Sequence, residues 1–125
     1  MTIANDTISI WINSLKEREL DTGGFAQKTH GHYCPEATCW AILALSADPA
    51  NRDLIARARF RLAADQFPDG RVCVSPEHPE AFWPTYLAVL AWHQSSEHQK
   101  NQAQAVHFLL ETSGRHWPRT ADSPA

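Results

Sequence analysis

The chain has 125 residues, 43% hydrophobic and 20% charged, a composition that suits one globular domain large enough to bury a core. Its net charge of -3, with Lys and Arg scattered along the chain, excludes the basic stripe that nucleic acid requires. The longest apolar runs, Ala41 to Leu45 and Leu87 to Trp92, fall far short of the roughly 20 residues that cross a bilayer, which excludes a membrane span.

Asn5 or Asp6 is placed to cap a first helix in which Ile8, Trp11, Ile12 and Leu15 share one apolar face. Asp21-Thr22-Gly23-Gly24 ends it, and a polar loop from Gln27 to His32 leads to Pro35-Glu36. Proline in a first turn and an acid beside the helix N-terminus predict a second helix there. It carries Ala37, Cys39, Trp40, Ala41, Ile42, Leu43, Ala44 and Leu45, apolar nearly all round, and is expected to be interior. Asp48-Pro49 closes the unit.

A shift of 47 residues then superposes Leu15 on Leu62, Gly23 on Gly70, Thr38 on Thr85, Ala41 on Ala88, Leu43 on Leu90 and Ala44 on Ala91 without a gap. Phe25 on Val72, Ile42 on Val89 and Glu19 on Gln66 are conservative matches in the same frame. A period of this length signals a helical array. Ala58 and Leu62 recur once more as Ala105 and Leu109, in a third amphipathic helix with Ala103, Val106 and Leu110, before Gly114, Trp117 and Pro118 intervene. The expectation is a single all-α domain over 1–118, with repeats at about 6–47, 53–94 and 100–117, and a flexible tail over 119–125. That is five helices, or about two and a half α/α hairpins.

Leu62, Gln66, Gly70 and Val72 together resemble the QW-type motif of squalene and hopene cyclases, with Val72 and Phe25 in place of its Trp and Glu19 in place of the first Gln. In the same register Gly23-Gly24-Phe25, the run from Thr38 to Leu45, and Pro84-Thr85-Tyr86-Leu87 resemble the repeats of protein prenyltransferase β subunits. The resemblance covers residues 8 to 117 and implies an α/α toroid, here a partial one, whose second helices line a cavity. It implies a basic position at Lys28, and it puts the Asp and Cys zinc-ligand positions of one family repeat on Cys34 and Glu36. The Asp-x-Asp-Asp acid motif of the cyclases is absent from this chain.

His30, His32 and Cys34 crowd one loop, and Cys73 and His78 occupy the corresponding loop of the next repeat. They suit zinc in residue type, whereas a polar loop with exposed histidines is the plainer reading. Cys34 beside a helix start, with His32 as base, has the makings of a nucleophile, and Glu36 of a general acid, as do Glu77 and Glu80. Dipole complementation accounts for the acids equally well. Pro68-Asp69-Gly70 is a good turn sequence. Tyr33, Trp40, Trp83, Tyr86 and Trp92 fall along or beside the second helices, where aromatic faces hold an apolar chain, a core or a partner, and Lys28 stands near them.

Two functions follow from these readings. One is a non-catalytic binding or assembly module, with an apolar or prenyl-type ligand. The alternative is a small enzyme or enzyme subunit of the terpene cyclase or prenyltransferase type, zinc-assisted, in a cavity completed by oligomerisation. Both expect a homo-oligomer or a larger partner chain to cover the half repeat at 103–117, near Val106, Leu110 and Trp117. Three cysteines without disulfide-framework spacing and opening residues without a leader pattern point to the cytoplasm.

Overall fold

The computed structural model describes residues 3–112, with side chains from residue 7 onward. Among these residues lie five α-helices: α1 (Ile3–Lys16), α2 (Pro35–Leu45), α3 (Arg52–Ala64), α4 (Pro84–Ala91) and α5 (Gln99–Thr112). Short 3-10 turns at Pro49–Asn51 and Ser96–His98 lead into α3 and α5. The all-α class and the helix count are as the periodicities predict. Gly114, Trp117, Pro118 and the tail over 119–125 lie outside the described residues.

The first helix starts earlier than its expected cap. Its backbone is helical from Ile3, which puts Asn5 and Asp6 inside the first turn. An acid is favoured there too, because the free N–H groups of the turn carry partial positive charge.

Proline opens both α2 and α4, at Pro35 and Pro84. Its ring holds φ at a helical value, and the N–H it lacks has no use in a first turn. At the far end of α2 the Asn51 amide donates to the Leu45 carbonyl at 3.1 Å, satisfying one of the acceptors a helix end leaves free. Asp48 accepts from the Ala50 N–H at 2.9 Å and so begins the turn into α3.

The same devices recur 47 residues on. The 3-10 turns begin at Pro49 and Ser96, and the helices after them at Arg52 and Gln99. Thr38 Oγ1 accepts the buried Phe25 N–H at 2.9 Å and donates to the Cys34 carbonyl at 2.8 Å. Thr85 Oγ1 accepts the Val72 N–H at 2.9 Å and donates to the Phe82 carbonyl at 2.6 Å. Gly23 and Gly70 both have left-handed backbones, with φ of 90° and 100°, and each lies beneath a later helix. A Cβ on Gly23 would stand 3.0 Å from the Arg57 carbonyl oxygen of α3, and one on Gly70 would collide with the Gln104 carbonyl of α5. These recurrences and the helix packing are consistent with a helical-repeat arrangement.

Helix α2 packs on α3 and α4, and α4 packs on α2 and α5. Phe25, Ile42, Leu45, Leu62, Val72 and Trp92 fill the core, with fully buried alanines at 41, 58, 88, 91 and 105 letting the helices approach closely. Only part of α2 is interior, since Trp40 and Ala44 are exposed. Helix α1 makes none of the extensive helix contacts; Ile12 and Leu15 touch the core while Ile8 and Trp11 face out.

Gly70→Ala should lower the unfolding free energy by about 2–5 kcal/mol, the sum of left-handed strain and a displaced α5 backbone. Gly23→Ala should cost less, because its overhead carbonyl is farther away. Denaturant titration of both variants checks this, and equal stabilities would mean that α5 does not press on the loop as described.

Candidate functional site

The two loops that carry the candidate residues are tied to the helix of the following segment. Glu19 pairs with Arg57 of α3 at 2.9 Å. At the corresponding position Gln66 donates to the Gly70 and Asn101 carbonyls, both at 2.9 Å, and accepts from the Asn101 amide at 2.8 Å. Tyr33 lies flat against Gly24, and the Arg61 guanidinium sits 4.0 Å from its ring centre. The Tyr33 hydroxyl is buried with no hydrogen-bond partner among the described residues, and that burial pushes its phenol up from the ordinary range. A small cavity of about 50 Å³ lies beside it, lined in part by Asp65, Phe67, Cys73 and Ser75.

The proposed ligands and catalytic groups are spread out. His30 and His32 are exposed, and Cys34 and Glu36 are half-buried at the start of α2. No hydrogen bond joins the side chains of His32, Cys34 and Glu36. Cys39 is wholly buried, with its thiol pushed up to about 12 by desolvation. Cys73 is buried as well and lies 3.4 Å from the Pro79 carbonyl; burial raises it too. His78 faces Glu80 on the surface at 3.6 Å, and Glu77 is exposed. Among the described residues no three His, Cys, Asp or Glu side chains converge to hold a metal ion, so His30, His32, Cys34, Cys73 and His78 are not gathered into one site. Asp69 is taken up by Arg71 at 2.7 Å, whose hydrogen bonds hold its carboxyl below the usual range.

The aromatic residues divide in two. Trp40, Trp83, Tyr86 and Leu90 are exposed on α2 and at the start and along α4, with Tyr86 62% accessible. Positions 83, 86 and 90 share one helical face. Trp92, expected among the ligand-lining residues, is 0% accessible and belongs to the core; its indole N–H donates to the Arg59 carbonyl at 3.3 Å. The correction has a simple cause, because Trp92 occupies the position of Leu45, the last buried residue of α2. Lys28 is exposed in the first loop, and an open groove of about 230 Å³ runs between Leu15, Arg18, Ala26, Glu36, Ala37 and Trp40.

His98 escaped the sequence reading. It is buried, stacked at 6.4 Å on Trp92 and edge-on at 4.7 Å to Phe60, with Nδ1 2.8 Å from Ser95 Oγ and Nε2 without a partner among the described residues. Its signal lay in the repeat, since it stands where Asn51, also buried, stands in the first unit. No family model, curated protein or solved structure matches the chain.

Burial, with help from the nearby Arg59 charge and against that of Glu97, holds His98 below the ordinary histidine value. The unfolded chain therefore binds a proton that the native state refuses. The His98 contribution to stability should be constant above about pH 6.5 and fall as the pH drops from there to the lower native value. His98→Asn should flatten that slope in unfolding curves taken at several pH values, and an unaltered slope would rule out His98 as its source.

Proposed function

We propose that the chain is a non-catalytic binding or assembly module built as a partial α/α toroid of the terpene cyclase and prenyltransferase type. In this reading α2 and α4 form the inner side, and α1, α3 and α5 the outer. One observation carries it: Trp83, Tyr86 and Leu90 remain exposed on one face of α4, whose opposite face helps build the core. A cluster of large apolar side chains on the surface marks a contact site.

The chemistry that fits such a face is a branched hydrocarbon. Aromatic rings offer broad apolar area to methyl-rich chains, while the indole N–H and the phenol O–H at their edges stay turned to water. The lack of an Asp-x-Asp-Asp acid in this chain supports binding over turnover. At the other end of the array Leu110 is 74% exposed and Val106 is exposed beside it, which supports a partner chain on α5.

Equilibrium dialysis with farnesol as the probe should show saturable binding. Tyr86→Ala combined with Leu90→Ser should weaken it about tenfold, the effect of losing one to two apolar contacts, with the helical circular dichroism unchanged. Absence of saturation, or equal binding by the double variant, would sink this reading.

A further inference from the structure

The end of the array at α1 and α2 is built to be covered. On α3, Ile55, Ala58 and Leu62 are buried; the residues 47 positions earlier on α1 are Ile8 and Trp11, which are exposed, and Leu15, which is half-buried. On α4, Pro84 and Ala91 are buried and Leu87 is half-buried between them; their counterparts on α2 are Ala37, half-buried, and Trp40 and Ala44, exposed. Two helices thus present, at one end, the positions that the next unit buries within the chain. Trp11 is 71% and Trp40 54% accessible, so the largest side chains of that end are the ones left out.

Between them runs the groove that holds Leu15, Ala37 and Trp40, and it carries one charge of each sign. Arg18 donates to the Gln27 carbonyl at 2.9 Å and pairs with no acid among the described residues. Glu36 pairs with no base among them either. We propose that a second copy of this chain covers this face about a two-fold axis, Trp11 and Trp40 packing across it and Arg18 of each protomer meeting Glu36 of its partner.

A two-fold contact sets a surface against itself, so it needs an apolar centre flanked by charges that answer each other after rotation. This groove is lined by Leu15, Ala37 and Trp40 and by one charge of each sign, Arg18 and Glu36. A head-to-tail arrangement fits less well, because the α4 surface that would receive α1 as α2 receives α3 is already covered by α5. The inference does not rest on ligand binding and stands apart from the reading above.

Sedimentation velocity over a concentration series tests it. The wild type should be a dimer, Trp40→Asp a monomer with unchanged circular dichroism, and Leu110→Glu, at the other end, still a dimer. Arg18→Glu and Glu36→Arg should each weaken dimerisation by about tenfold or more, and an equimolar mixture of the two should recover wild-type affinity, since both pairs are then restored. A monomeric wild type, an open-ended series of oligomers, a dimer indifferent to Trp40→Asp, or a mixture no tighter than its components would each overturn the two-fold contact.

Discussion

A threonine hydroxyl near the start of α2, and another near the start of α4, is the contact on which the rest of the fold depends. Each loop dives into the core to place Phe25 or Val72 there, and in doing so buries a backbone N–H that no backbone carbonyl among the described residues receives. A buried N–H without a partner is costly. Thr38 and Thr85 accept it and donate their own O–H to a nearby carbonyl, so the loop enters the core with that N–H satisfied. Once the loop is held there, its glycine lies flush enough for α3 or α5 to pass over it, and the spacing of the whole array follows.

Cohesion between successive units is mainly apolar. The Glu19–Arg57 pair has an Arg57 side chain more than half exposed, and such pairs contribute roughly 0–1 kcal/mol. Gln66 is better placed, since both ends of its amide are used across the junction with α5. The larger share comes from Leu62, Leu45 and Trp92 closing over a floor of buried alanines, whose small side chains bring the helix backbones together. Helix α1 has only Ile12 and Leu15 in that network, which makes it the least anchored of the five.

Helix number, the prolines that open α2 and α4, and the 47-residue recurrence were all legible in the chain, because periodicity and turn chemistry are local properties. The repeat frame even contained the location of His98, in register with Asn51, although a histidine in place of an asparagine hid it. What could not be read locally was which face of an apolar helix finds a neighbour. Trp40 and Trp92 look alike in a hydrophobic run, yet one is exposed while the other closes the core, a difference set by which helices exist on either side. The metal candidates are not gathered among the described residues for a related reason. Closeness in sequence at His30, His32 and Cys34 says little about where side chains aim when the intervening backbone turns, as it does at His30 with a φ of 63°.

A helical array normally ends in units whose outer faces have turned polar, since water must cover what no neighbour does. At its α1 end this chain keeps Ile8, Trp11 and Trp40 instead. Tryptophan is the least economical residue to leave in water, exposing more apolar area than any polar replacement would, and the core already contains one well-buried example in Trp92. An exposed tryptophan taken singly is ordinary surface. Two on successive helices, at repeat positions buried or half-buried in the next unit and near an Arg18 and a Glu36 that form no ion pair among the described residues, form a surface with the composition of an interface, apolar with a charge of each sign. The repeat thus supplies an internal standard for deciding which exposed residues are out of place.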